Sequence, residues 1–228
     1  MKFALLHGWP TRPAAAIALQ KALADRVRLE SIRGRVRLMA GADVAFSPDG
    51  RETIAGVVLW DADRREVCEQ VIARRRCRFP YVPGLLSFRE LPGVLAAFRR
   101  LKGRPDVVLA DAQGLAHPRR FGLACHLGLW LGVPTVGCAK SRLCGEHRMP
   151  GPKRGDRAPL MLDGRRVGTV LRTRDGVRPL FISPGHLCDQ ASAVRMVLRA
   201  GGGVRLPEPA RCAHRLVTTA RQSPKISD

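Results

Sequence analysis

Two short apolar runs, Pro105-Asp-Val-Val-Leu-Ala110 and Pro134-Thr-Val-Gly-Cys138, constrain this chain more than any other feature. Each has the near-continuous apolar character of a strand buried on both faces, and the residues from about Arg119 to Leu131 between them read as a helix. Strand, helix and strand in that order form a crossover unit. The chain must therefore contain parallel sheet covered by helices.

The upstream residues add strands of another kind. Val36 to Phe46, Ile54 to Trp60 and Glu66 to Ile72 are separated by the turns Ser47-Pro-Asp49-Gly50 and Asp61-Ala-Asp63, a pattern that predicts an antiparallel meander. Ahead of it, Ala16, Leu19, Ala22 and Leu23 recur at helical spacing within a segment from about Thr11 to Arg28. Ser87 followed by Glu90 reads as a capping box for a helix running to about Leu101, with Pro92 early enough to be tolerated. Asp163-Gly164 and Asp175-Gly176 mark two further hairpin turns, and a helix is expected from about Cys188 to Ala200. A last segment, Pro207 to Val217, precedes a polar tail, residues 218–228, expected to be disordered. With 228 residues, enough for a single core, the reading is a single-domain α/β protein, a mixed sheet flanked by helices.

The 40 Lys and Arg against 19 Asp and Glu give a net charge of +21 at a hydrophobic fraction of 45%. That apolar content excludes a disordered chain, and the charge favours a polyanionic partner. Seven cysteines, with no Cys-x-x-Cys pair, fit a reducing compartment and neither a disulfide framework nor a structural zinc. No apolar stretch approaches the ~20 residues of a membrane span, and the start lacks a secretory pattern. A cytoplasmic protein with no membrane partner is expected.

In so basic a chain, acidic residues inside apolar strands are the anomaly. Asp49, Asp63, Asp163 and Asp175 fall in turns, where side-chain hydrogen bonds to backbone account for them. Asp43 instead interrupts a strand, where an unpaired carboxylate is costly unless one of the arginines compensates it. Asp111 closes the buried strand at its carboxyl end, the edge at which open α/β sheets place ligands. Glu90 taken alone is explained by capping and the helix dipole. Taken together, the three carboxylates offer hard oxygen ligands to Mg²⁺ within a basic surface, the charge pattern of a metal-dependent nuclease. In Phe79-Pro80-Tyr81-Val82-Pro83-Gly84-Leu85, prolines frame the chain's single tyrosine, which could wedge between stacked bases or pack under its own loop.

Several segments together resemble the endonuclease V family, the deoxyinosine 3′-endonucleases. They are Gly41-Ala-Asp43-Val, Pro80-Tyr-Val-Pro-Gly-Leu-Leu-Ser-Phe-Arg-Glu90, Asp111-Ala-Gln-Gly-Leu-Ala-His-Pro-Arg-Arg120, Val136-Gly-Cys-Ala-Lys-Ser-Arg-Leu-Cys-Gly145, Ser183-Pro-Gly-His186 and Pro207-Glu-Pro-Ala-Arg-Cys-Ala-His214. The resemblance implies an RNase H-like fold in a catalytic domain spanning residues 1–217. It also implies Mg²⁺-dependent hydrolysis, with Mn²⁺ able to substitute, of the second phosphodiester bond 3′ to deoxyinosine, leaving 3′-hydroxyl and 5′-phosphate ends.

Carried over by position, Asp43, Asp111 and Glu90 match the metal-binding catalytic carboxylates, Lys140 a lysine at the scissile phosphate and His214 a histidine near the metal. Tyr81 matches the strand-separating wedge, with Pro80, Val82, Pro83, Gly84 and Leu85 as the DNA-contacting loop. Ala112, Gly114 and His117 would surround the extruded base. Ala112 stands where the family pattern has glycine. A monomer acting on inosine-containing DNA is expected; the alternatives are an inosine-specific endoribonuclease and a non-catalytic nucleic-acid-binding protein.

Overall fold

The computed structural model describes residues 1–222, which build one eight-stranded mixed sheet between two layers of helices. In chain order the elements are α1 (Pro13–Ala24), β1 (Leu38–Phe46), β2 (Glu52–Asp61), β3 (Glu66–Arg76), α2 (Leu86–Arg100), β4 (Val107–Ala110), α3 (Leu123–Leu131), β5 (Thr135–Ala139), β6 (Arg157–Leu162), β7 (Arg165–Leu171), β8 (Leu180–Pro184), α4 (Gln190–Arg199) and α5 (Glu208–Gln222). The strand order is β3-β2-β1-β4-β5-β8-β7-β6. The expected meander forms the β3-β2-β1 half, and β1, β4 and β5 run parallel at the centre.

Alternation along β1 divides the two faces. Ala40 and Ala42 pack with Leu91, Val94 and Phe98 of α2 and with Leu123 and Leu127 of α3. Met39 joins Val107, Leu109 and the apolar residues of α4 on the opposite face. On that face two glycines let α5 lie directly on the strands. A Cβ at Gly41 would stand 1.9 Å from the Pro209 carbonyl oxygen, and one at Gly56 would stand 2.6 Å from Val217. Side chains there would lift the helix from the sheet. Asp163 and Gly164 both have positive φ, the backbone a two-residue turn between β6 and β7 requires. The Asp175-Gly176 turn sits in a longer connection from β7 to β8.

Three expectations need correction. Ser87 does not cap α2: the helix already includes Leu86, and the Ser87 hydroxyl is buried and engaged with His126 Nδ1 at 3.1 Å. Pro92 accordingly sits well inside α2, where it withholds an N–H from the carbonyl of Phe88. The helix at the carboxyl end continues past Val217 to Gln222, because Val217 and Ala220 are buried against the sheet. Residues 223–228 of the expected tail lie outside the described residues. The seven cysteines are free, and no helix among the described residues is long and apolar enough to cross a membrane.

Candidate active site

Sheet register alone brings the two strand carboxylates together. Ala42 of β1 pairs with Ala110 of the parallel neighbour β4, so the next residues, Asp43 and Asp111, emerge side by side at the carboxyl end of the parallel core. Docking of α5 over Gly41 then places His214 above Asp43, with Nδ1 donating to the carboxylate Oδ2 at 2.7 Å. The Val44 N–H donates to the other oxygen at 2.9 Å. Lys140, directly after β5, lies with Nζ 2.5 Å from Asp111 Oδ2. Arg205 positions that lysine by donating to its carbonyl at 2.6 Å. Asp43 thus finds a histidine where the sequence suggested an arginine.

Ligand atoms of Asp43, Asp111 and His214 all lie within 4.8 Å of one another, close enough to share one cation. Glu90 is not a member of this cluster. It comes from α2 on the other side of the sheet, half-buried, and its charge still couples to both aspartates. Burial, with the negative charges of Asp43 and Asp111, pushes its carboxyl up to about 8. Burial also raises Asp43, against the opposing hydrogen bond from His214. Two aspartates, a histidine and a nearby glutamate fit a hard divalent cation, because they offer oxygen and nitrogen ligands and a cation would offset both the burial of these carboxylates and their mutual repulsion.

Beside this cluster opens a cavity of about 370 Å³, of the size that holds a small ligand. It is lined by Tyr81, Val82, Pro83 and Gly84, by Asp111, Ala112 and Gln113, and by Ala139 to Leu143. Tyr81 is 72% exposed at the rim, which settles the packing alternative against a buried ring. Pro80 is also exposed, whereas Val82 leans on the cluster of Ala16, Phe79, Leu85 and Phe88. Leu85 is 1% exposed within that cluster. Its side chain anchors the loop in the core.

The other end of the loop is pinned through one atom. The Gly84 carbonyl accepts from Gln20 Nε2 at 3.0 Å, His117 Nε2 at 2.9 Å and Arg119 Nη2 at 2.8 Å. Burial brings His117 down to about 4, so the imidazole is neutral at pH 7. Its Nδ1 accepts the Arg119 N–H at 3.1 Å, leaving the proton on Nε2 for Gly84. His117 therefore lines the cavity as a clamp on the Tyr81 loop.

Ala112 lines the cavity as expected and belongs at the same time to the core below. Gly114 does not line it: a Cβ there would stand 2.1 Å from the Pro184 carbonyl oxygen, and its N–H donates to Ser183. Gly114 thus closes the packing between the Asp111 loop and β8. Sequence reading missed Gln20, Gln113 and Arg205. Gln20 carried a signal, a polar residue in step with Ala16 and Leu23 on the apolar face of α1. Gln113 bridges to the Ser141 carbonyl at 2.9 Å, leaving its own carbonyl oxygen buried without a partner among the described residues.

Adjacent carboxylates at the carboxyl edge of the β1–β4 pairing, with a lysine paired to one of them, are the arrangement expected of a nuclease acting on phosphodiester bonds, and the family of the chain is that of such nucleases. The chain belongs to the endonuclease V family, whose model matches residues 21–215. It is 48% identical to the endonuclease V of Myxococcus xanthus over 217 residues, 94% of this chain and 92% of the relative. The fold matches the crystal structure of endonuclease V from Streptomyces avermitilis at a TM-score of 0.88 and 41% identity, covering 93% of this chain and 94% of the other. A Ciona intestinalis endonuclease V, solved in complex with DNA containing an inosine followed by a ribo-adenosine, shares the fold at a TM-score of 0.80 and 22% identity, over 92% of this chain and 96% of that one.

Proposed function

We propose that this chain is a Mg²⁺-dependent repair endonuclease that hydrolyses the second phosphodiester bond 3′ to deoxyinosine, leaving 3′-hydroxyl and 5′-phosphate ends. The observation that carries the reading is the convergence of Asp43, Asp111, His214 and Lys140 beside a cavity rimmed by an exposed, proline-framed tyrosine. The inosine-bearing DNA held by the Ciona relative supports the substrate.

Asp43, Asp111 and His214 would hold the divalent cation, with Glu90 close behind them. The cation would supply a Lewis acid for the scissile phosphate and a more acidic water. The chain's own residues do the remainder. Lys140, paired with Asp111 in the resting site, turns its ammonium to the incoming phosphate. Glu90, whose charge couples to both aspartates, would add a third carboxylate to the field that holds the cation. His214 holds the Asp43 carboxylate in one orientation. Tyr81 fills the gap left when a base leaves the stack, and the cavity lined by Ala112 and Gln113 receives that base.

Matched duplexes with a single inosine or a single adenine, incubated with the protein in Mg²⁺ or in chelator, test this reading. Nicking of the inosine strand alone, and only with the cation, is expected. Equal nicking of both duplexes, or nicking in chelator, contradicts it.

A further inference from the structure

A second cleft, of about 310 Å³, lies across the wedge loop from the catalytic cavity. Phe79 at the root of the loop walls the cleft, whereas Tyr81 to Gly84 wall the cavity; α2 gives Arg89 to the first and Ser87 to the second. Arg75, Arg76, Arg78, Arg89 and Arg99 line the cleft, and none is within ion-pairing distance of a carboxylate among the described residues. Two of them are held in place by neutral groups. Arg89 donates to the Phe79 carbonyl at 3.0 Å and lies over the Phe46 ring, and Arg99 lies over the Phe3 ring. Trp9, stacked on Trp130 at 5.6 Å, and Phe79 supply aromatic walls.

Five arginines on one cleft, two of them seated over aromatic rings, make an electropositive surface that a phosphate backbone would complement. Guanidiniums beside aromatic faces are also the combination that holds unpaired nucleotides. The geometry points to a binding site for the uncut strand of the DNA duplex. When Tyr81 parts a duplex, two backbones diverge from one loop. The cut strand must enter the cavity holding Asp111 and Lys140, and the loop leaves its partner the arginine side. This inference rests on the proposed function, in that it takes duplex DNA opened at Tyr81 as the substrate.

The test is to measure binding of an inosine-bearing duplex and of the same inosine-bearing strand alone, across a range of salt, in an Asp111→Asn background. Replacing Arg76, Arg78 and Arg99 together by Ala should weaken duplex binding about tenfold or more and flatten its log-log salt slope by up to roughly 2.7 units, at about 0.9 for each of three phosphates no longer neutralised. Single-strand binding, and single-strand nicking by the triple variant with Asp111 intact, should be unchanged. The corresponding triple Lys variant keeps the charge and should retain duplex binding. Equal losses on duplex and single strand, no loss on either, or a Lys variant as weak as the Ala variant would each overturn the inference. Failure of the wild-type chain to nick any inosine strand would remove the proposed function instead. The strand dependence of binding would still decide whether the cleft grips the second strand.

Discussion

The carboxylate cluster and the base of the Tyr81 loop meet at one cavity and are held by opposite means. At the cluster, like charges are forced together by strand register, and Asp43 and Glu90 are both driven towards protonation. At the loop, three donors converge on the Gly84 carbonyl, and the imidazole among them is kept neutral by burial. The first arrangement is electrostatically costly, and a bound cation would relieve it. The second is satisfied as it stands. A site that does chemistry keeps unspent charge, whereas a part that must hold a shape is saturated with hydrogen bonds.

The sharpest way to separate the two regions is to remove charge from the first. Asp43→Asn and Asp111→Asn should each lower cleavage by about 10³-fold or more, since several kcal/mol of transition-state stabilisation depend on the cation. DNA binding should be unchanged or tighter, because a carboxylate that repels phosphate has gone. Single-turnover rates with parallel binding isotherms provide the check; near wild-type rates would detach chemistry from the cluster.

Next in size is the loop. Tyr81→Ala should slow nicking of an inosine duplex about tenfold while leaving the inosine single strand nearly unaffected. The wedge offsets an unstacking cost of a few kcal/mol that a single strand largely lacks. Equal losses on both substrates would turn Tyr81 into a general stacking surface.

The two regions should also differ in the sign of their pH response. Glu90 rises from an ordinary 4.5 to about 8, so its contribution to stability is present below 4.5 and is lost as pH climbs towards 8. His117 falls from 6.5 to about 4, so its contribution is present above 6.5 and is lost as pH drops towards 4. In chelator, Glu90→Gln should therefore raise the melting temperature by several °C at pH 8.5 and change little at pH 4.5. His117→Gln, which can still donate to Gly84, should ease the decline between pH 6.5 and 4. Parallel melting curves for the wild type and both variants would break the comparison.

How far these regions could be read from sequence differs in the same way. Asp43 and Asp111 were legible because a charge inside an apolar strand has few explanations, and the parallel pair was legible from two doubly buried runs. Glu90 was legible as a charge but not as a neighbour lying outside the ligand cluster, since that depends on which face of the sheet α2 covers. Leu85 and Gly114 sit in motifs that match the family, and only packing shows that one is core and the other a close contact with Pro184. The capping box at Ser87 failed because its hydroxyl is taken by His126, which is 39 positions away in the chain. The loop clamp was out of reach, since Gln20, Gly84 and Arg119 converge only after folding.

A change in selectivity, without loss of the basic reaction, is expected at Ala112, which bridges the two regions by lining the cavity and packing into the core. Ala112→Gly should shift the preference for inosine over adenine by about tenfold, as one methyl typically does in a close-packed pocket. The expected direction is higher activity on inosine, through relief of crowding. Matched rates on both bases check this, and no change would place the methyl's role in the core alone.

The central claim, that Asp43 and Asp111 act on a phosphate fixed at a set distance from a base seated in the cavity, is tested most directly by mapping the nick. An end-labelled duplex bearing one inosine, cut in Mg²⁺ and resolved to single nucleotides, should show one break at the second phosphodiester 3′ to the inosine, with 3′-hydroxyl and 5′-phosphate ends. Moving the inosine by one position should move the break by one. Breaks scattered along the strand, or fixed in place while the inosine moves, would contradict the account.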